Sequence, residues 1–201
     1  MRSEAPPLLP IFRSRAQADL LTLLLLHPER DYTVTEVASR LGLPLTTLHR
    51  EAQRLVDADL LVGRTVGRSR LLRANTGHRA FGPLQQLLTV TFGPHTVVAD
   101  EFAGLERVDL VLIYGSWARR YDGETGPMPQ DLDVLVVGRP DRASVYEAAE
   151  RAEQRLGFAV NPTIRSVQRW RDAGDALVEQ VKSSPTVTVI DRDQPAERGE
   201  P

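Results

Sequence analysis

Hydrophobic and polar positions change their period several times along this chain, and the changes divide it. From Arg13 to Leu26 apolar residues recur at Ala16, Leu20, Leu23 and Leu24 with more leucines around them, the broad stripe of a mostly buried helix, and His27-Pro28 ends it. Asp31 or Thr33 can cap a short helix through Val37, Ala38 and Leu41 that stops at Gly42, and Leu43-Pro44 opens another with proline at an early helical position. In that second helix Leu45, Leu48, Ala52, Leu55 and Val56 share one face, leaving Thr46, Thr47, His49, Arg50, Gln53 and Arg54 polar. Short strands are predicted next, Leu60-Leu61-Val62 and Ser69-Arg70-Leu71-Leu72-Arg73, on either side of Gly63-Arg64-Thr65-Val66-Gly67-Arg68.

Phe81 to Leu88 and Thr96 to Leu105 are each compatible with a helix, interrupted by Phe92-Gly93-Pro94. Leu84, Leu87, Leu88 and Val90 give this segment an apolar face, which serves either a homodimer contact or packing within the chain. Val108 to Tyr114 is then a continuous apolar strand broken only by Asp109, and it runs into Gly115-Ser116. Asp131-Leu132-Asp133 heads a second strand, Val134-Leu135-Val136-Val137.

Composition narrows the function classes. The 201 residues give room for one large or two small domains, and 41% hydrophobic residues suffice for buried cores. With no cysteine there is no disulfide framework, no thiolate zinc site and no thiol nucleophile. His27, His49, His78 and His95 lack metal-ligand spacing. The longest apolar run, Leu20 to Leu26 broken by Thr22, is too short to span a bilayer and too deep to be a signal segment, so a cytoplasmic protein without a membrane partner is expected. The net charge of −2 is uneven: residues 1–80 carry +4 and residues 81–201 carry −6.

The basic half has the parts of a DNA reader. A short helix, a tight glycine turn and a second helix make a helix-turn-helix, and a polar face of short hydroxyls, Arg and Gln suits phosphates and base edges in a major groove. A hairpin bearing Arg64, Arg68, Arg70 and Arg73, with no acid from residue 60 to residue 79, has the character of a wing. Leu20 to Ala74 resembles the winged-helix domains of ArsR- and MarR-like bacterial regulators, through Thr33-Val34-Thr35-Glu36-Val37-Ala38, Leu41-Gly42-Leu43-Pro44, Thr46-Thr47-Leu48-His49-Arg50 and Leu55-Val56-Asp57-Ala58-Asp59-Leu60-Leu61. The resemblance implies double-stranded DNA as partner, contacted by Thr46, Thr47, His49, Arg50, Arg54, Arg64, Arg68 and Arg70, and a homodimer on two half-sites. A docking or dimerisation module is the alternative.

The acidic half carries different chemistry. Alternation puts Asp131 and Asp133 on one side of the sheet, where two carboxylates can bind Mg²⁺ and so neutralise triphosphate oxygens. Gly115 allows close backbone approach, and Ser116 with the following amides can hold terminal phosphates. Gly-Ser, a spacer and Asp-x-Asp resemble the minimal nucleotidyltransferases of the polymerase-beta-like superfamily over roughly residues 105 to 190. That resemblance implies a mixed sheet with flanking helices: strands near 108–114, 132–137, 158–164 and 186–190, helices near 141–156 and 166–182. It also implies Asp131 and Asp133 as catalytic metal ligands, and a nucleotide site of Gly115, Ser116, Arg119 and Asn161.

Three departures bear on activity. Trp117 to Gln130 is a longer spacer than the common form, Arg120 replaces the usual closing glycine, and Asn161 stands where a third carboxylate would serve as ligand and base. Neutral asparagine can coordinate a metal but cannot accept a proton. Glu124 and Asp141 are the nearby acids that could substitute. Trp117 and Trp170 are either core residues or platforms for a base.

The expected fold class is therefore a two-domain α/β chain: an N-terminal tail over 1–12, a winged helix-turn-helix over 13–80, a helical connector over 81–105, a nucleotidyltransferase-like domain over 106–190 and a disordered tail over 191–201. The expected function is a DNA-binding transcriptional regulator whose second domain binds a metal-nucleotide with little or no turnover. The alternatives are an active Mg²⁺-dependent nucleotidyltransferase, antitoxin-like with a toxin partner protein, that moves a nucleotide from a nucleoside triphosphate to a hydroxyl, and a docking scaffold.

Overall fold

Leucines decide the first helices. In a computed structural model of the chain, in which residues 12–172 and 174–192 are described, the chain divides into two units at Gly93-Pro94. The expected break at Phe92-Gly93-Pro94 falls there, so the segment read as one connector contributes a helix to each unit. Both units combine helices with a sheet, and the chain is mixed α/β.

In the first unit α1 (Arg15–Leu25) begins at Ser14, whose hydroxyl accepts from the Gln17 amide, and it buries Leu20, Leu21, Leu23, Leu24 and Leu25. Each leucine taken fully out of water contributes roughly 1.5–3 kcal/mol. Between the two candidate caps of α2 (Val34–Leu41) the structure uses Thr33, which accepts from the Glu36 amide at 3.1 Å. Gly42, at φ +61°, ends that helix in the left-handed conformation glycine adopts at least cost. α3 (Leu45–Asp57) follows directly after Pro44.

The hairpin strands are longer than predicted. β2 (Leu61–Val66) and β3 (Ser69–Ala74) pair antiparallel up to Val66↔Ser69, leaving Gly67-Arg68 as a two-residue turn with Gly67 at φ +59°. Gly63 to Val66 is therefore strand, because backbone pairing outweighs the weak propensity of Gly63. β1 (Tyr32–Thr33) adds a third strand on β3, too short to leave a periodic signal. α4 (Phe81–Phe92) closes the core: Leu88 and Phe92 are buried in it and Leu84 packs against it, so these apolar positions are used within their own unit.

The second unit is a four-stranded sheet of order β6-β5-β4-β7. β4 (Val108–Tyr114) pairs antiparallel with β5 (Asp131–Gly138) and with β7 (Val187–Asp191), while β5 and β6 (Ala159–Arg165) run parallel, joined by α7 (Arg142–Leu156). Pro162 lies on β6, an edge strand, where a missing N–H is tolerated. α5 (Pro94–Phe102) is tied to α7 by ion pairs of Glu101 with Arg151 and Arg155. The expected helix at 166–182 is instead two, α8 (Val167–Arg171) and α9 (Ala176–Lys182): Gly174 is at φ +111° and Asp175 caps α9, accepting from the amides of Leu177 and Val178. Their Val167, Trp170, Leu177 and Val181 pack on the sheet face of Leu112, Leu135 and Val137. Residues 1–11 and 193–201, where terminal tails were expected, lie outside the described residues, and Asp191 ends β7. Among the described residues no helix is long and apolar enough to cross a membrane.

Candidate functional site

Chemistry gathers at one surface in each unit. In the first, packing of Leu48, Ala52 and Leu55 into the core turns the opposite side of α3 to solvent, where Thr46, His49, Arg50 and Gln53 are exposed and Thr47 is half-buried. The hairpin stands out with every residue from Val62 to Ser69 exposed, Arg68 at its turn.

The predicted DNA-contacting arginines are not equally available. Arg54 donates to Glu51 at 2.8 Å, and Glu51 is 3% exposed although it carries a carboxylate. Arg50 reaches the same carboxylate only at 4.0 Å and keeps 63% of its side chain in solvent. Arg64 is paired with Asp31 at 2.8 Å, and Arg70 with Gln53 at 2.8 Å. Sequence reading missed these partners. For Glu51 a signal existed, since it falls three residues after Leu48 and four before Leu55, on the buried stripe.

In the second unit β4 ends at Tyr114, and Gly115 opens α6 (Gly115–Tyr121) at φ +74°, so the expected Gly-Ser turn is the start of a helix. Tyr114 is opposite Asp133, and Asp133 is opposite Asn161 on the next strand. Alternation puts Asp131, Asp133 and Asn161 on the same face, and Asn161 Nδ2 lies 3.3 Å from Asp131 Oδ2. The glycine is required here: a Cβ on Gly115 would fall 2.7 Å from Asp133 Oδ2. Burial pushes the Asp133 carboxyl above the usual carboxylate range, the Asp131 charge pushes it further, and the Asn161 amide partly opposes both.

Several other expected residues are engaged elsewhere. Arg119 pairs with Glu124 at 3.3 Å. Arg120 donates to the carbonyl oxygens of Glu124 and Pro127 and so holds the long loop down. Asp141 caps α7, accepting from the Ser144 amide, beyond the far end of β5. An eight-residue strand separates it from Asp131, roughly 25 Å, so it cannot act as a base there. Trp117 is core, 3% exposed and stacked on Phe158 at 5.5 Å. Trp170 packs against the sheet with Lys182 over its ring.

Two carboxylates supply oxygen donors of the kind Mg²⁺ takes, Asn161 turns its Nδ2 donor toward them, and the bare Gly115 leaves the Asp133 carboxylate uncovered by a side chain on that edge. Among the described residues no third His, Cys, Asp or Glu joins them. No protein-family model matches the chain, and no curated protein matches it. Among solved structures, the crystal structure of Pseudomonas aeruginosa HmgR is similar to part of it, with 14% identity and a TM-score of 0.30 over 52% of this chain and 44% of that one. The chain thus spans less than half the length of that protein, and at this TM-score the likeness assigns neither fold nor function.

Proposed function

We propose that this chain is a DNA-binding transcriptional regulator whose first unit is a winged helix-turn-helix. The observation that carries the reading is the pairing of an exposed polar α3 face, Thr46, His49 and Arg50, with a projecting hairpin that has Arg64, Arg68 and Arg73 and no carboxylate. A helix of this kind fits a major groove, and the hairpin arginines neutralise phosphates beside it. A two-fold homodimer would carry two α3 helices to successive half-sites. The test is binding of the purified chain to the DNA upstream of its own gene across a salt series. Affinity should fall steeply with salt, and Arg64→Gln with Arg68→Gln should weaken it. No salt-sensitive binding, or no effect of the double substitution, sinks the reading.

In the second unit we propose a nucleotidyltransferase-type fold that holds a metal-nucleotide as a ligand. Asp131 and Asp133 would hold Mg²⁺, with the Asn161 carbonyl as neutral third donor once the amide turns its oxygen inward in place of Nδ2, and the bound ion would neutralise triphosphate oxygens. With Asn161 in place of a carboxylate, the chain offers no base at that position for an attacking hydroxyl. The same carboxylate pair beside a bare Gly115 also suits a second reading, active transfer of a nucleotide to a protein or small-molecule hydroxyl. Incubation with labelled triphosphates and Mg²⁺ separates the two: label transfer abolished by Asp131→Ala with Asp133→Ala supports the enzyme, and binding without transfer supports the ligand site.

A further inference from the structure

We propose that Arg70 and Gln53 form a clamp that fixes the hairpin against α3, making both of them positioning residues rather than DNA contacts. Its functional consequence rests on the DNA-binding reading, whereas the clamp itself is a property of the free protein.

Three observations converge on it. Arg70 Nη2 donates to Gln53 Oε1 at 2.8 Å, and Gln53 Nε2 donates in turn to Asp57 Oδ1 at 2.6 Å. Each end of the Gln53 amide thus has a partner within the protein, and together they fix a plane that would have to turn to present its oxygen and nitrogen to an adenine edge. Second, Arg70 is opposite Thr65, on the hairpin face that also holds Leu61, Leu72 and Ala74, all buried. It therefore points toward α3, while Arg64 and Arg73 belong to the other face. Third, Gly63 makes the space: a Cβ there would lie 3.2 Å from Arg70 Nη2 and 3.3 Å from Val56 Cγ2 of α3. The guanidinium lies across a bare strand, between hairpin and helix.

A helix and a wing that must reach DNA together bind more tightly when their spacing is set in advance, because less ordering is lost on association. The clamp fixes the position of Arg68 relative to Thr46, His49 and Arg50. It leaves those four as the exposed readers.

The test uses the full chain with Arg70→Gln, Gln53→Ala, the double variant, and Gln53→Glu, which keeps an acceptor for Arg70. Without DNA, amide hydrogen exchange over residues 61–66 should quicken roughly three- to tenfold in each of the first two variants. It should quicken no further in the double variant and stay slow in Gln53→Glu. Unchanged exchange in both single variants overturns the clamp, whatever DNA does. With a short mixed-sequence duplex, Arg70→Gln and Gln53→Ala should weaken binding by similar factors without changing the salt slope, while Arg68→Gln lowers that slope by about 0.9. If Arg70→Gln lowers the slope as Arg68→Gln does and Gln53→Ala binds normally, Arg70 is a phosphate contact and the proposal fails. If the unaltered chain binds no duplex, the DNA reading and the positioning role fall together, and the exchange data still decide the clamp.

Discussion

Asn161 extends its side-chain amide to within 3.3 Å of the Asp131 carboxylate, from the strand position directly opposite Asp133. A donor N–H thus reaches the carboxylate pair from the place where a third carboxylate would repel it. The amide eases the like-charge pair without a cation and supplies no proton acceptor.

Asn161→Asp should reverse that balance. Without metal, three carboxylates repel one another and the melting temperature of the variant should fall below that of the parent. With Mg²⁺ or Mn²⁺ the added charge should tighten cation binding by on the order of tenfold, and the melting temperature should rise with metal concentration. Thermal melts over a metal titration check both signs. A variant that is destabilised but indifferent to both cations removes the metal from the proposal.

Gly115→Ala probes the same face by sterics alone. The new methyl group would meet Asp133 Oδ2 at 2.7 Å, and the backbone sits at φ +74°, where alanine is strained. Unfolding free energy should drop by roughly 1–3 kcal/mol. Nucleotide binding in the presence of Mg²⁺ should be lost even below the melting transition, because Asp133 must turn aside. Calorimetric titration of the folded variant reads that loss separately from stability.

Much of the frame was legible because burial imposes strong periods. Val108–Tyr114 is a strand with the predicted limits, and Asp131 with Asp133 falls on one face as alternation requires. What escaped was set by caps and side-chain contacts that periodicity does not register. The helix predicted over 166–182 breaks where Gly174 takes φ +111°, and it restarts at Asp175, which accepts from the first amides of α9. Arg120 looked like a departure from a phosphate-binding turn, yet its role as the anchor of the loop depends on carbonyls of Glu124 and Pro127 that no local pattern reveals. Likewise Glu51, Asp31 and Gln53 bind Arg54, Arg64 and Arg70, partners that the hydrophobic pattern does not register.

Acid should loosen the second unit through its helix caps. The amide and hydroxyl of Ser144 hold the Asp141 carboxyl below its ordinary value of 3.8, and the Arg165 guanidinium does the same for Asp175. A lowered folded-state pKa gives stability that is present above the unfolded value and lost as pH falls through the folded one. The melting temperature should therefore decline below about pH 4. Asp141→Asn should flatten that decline, since its amide oxygen still caps but no longer titrates. An unchanged acid limb in Asp141→Asn with Asp175→Asn would remove the caps from the account.

Asp31→Asn should strengthen DNA binding, although it breaks an ion pair. Asp31 holds Arg64 at 2.8 Å across the hairpin, and the Arg64 hydrogen bond keeps its carboxyl below the ordinary carboxylate range. The pair is therefore intact through neutral pH and is lost only in acid. A phosphate that engages Arg64 must first displace Asp31, and the displaced carboxylate then stays close to the DNA as a repulsive charge. Removing that charge frees Arg64 and ends the repulsion, so affinity at neutral pH should rise a few-fold and the salt slope should steepen by up to about 0.9 as one further phosphate is engaged. Because both groups are solvent-exposed, folding stability should change little. Arg64→Gln combined with Asp31→Asn should cancel the gain, since no freed arginine remains. Binding isotherms of the four proteins on one duplex across a salt series measure that coupling, and a gain that survives in the double variant would mean that Asp31 acts on DNA through bulk charge and not through Arg64.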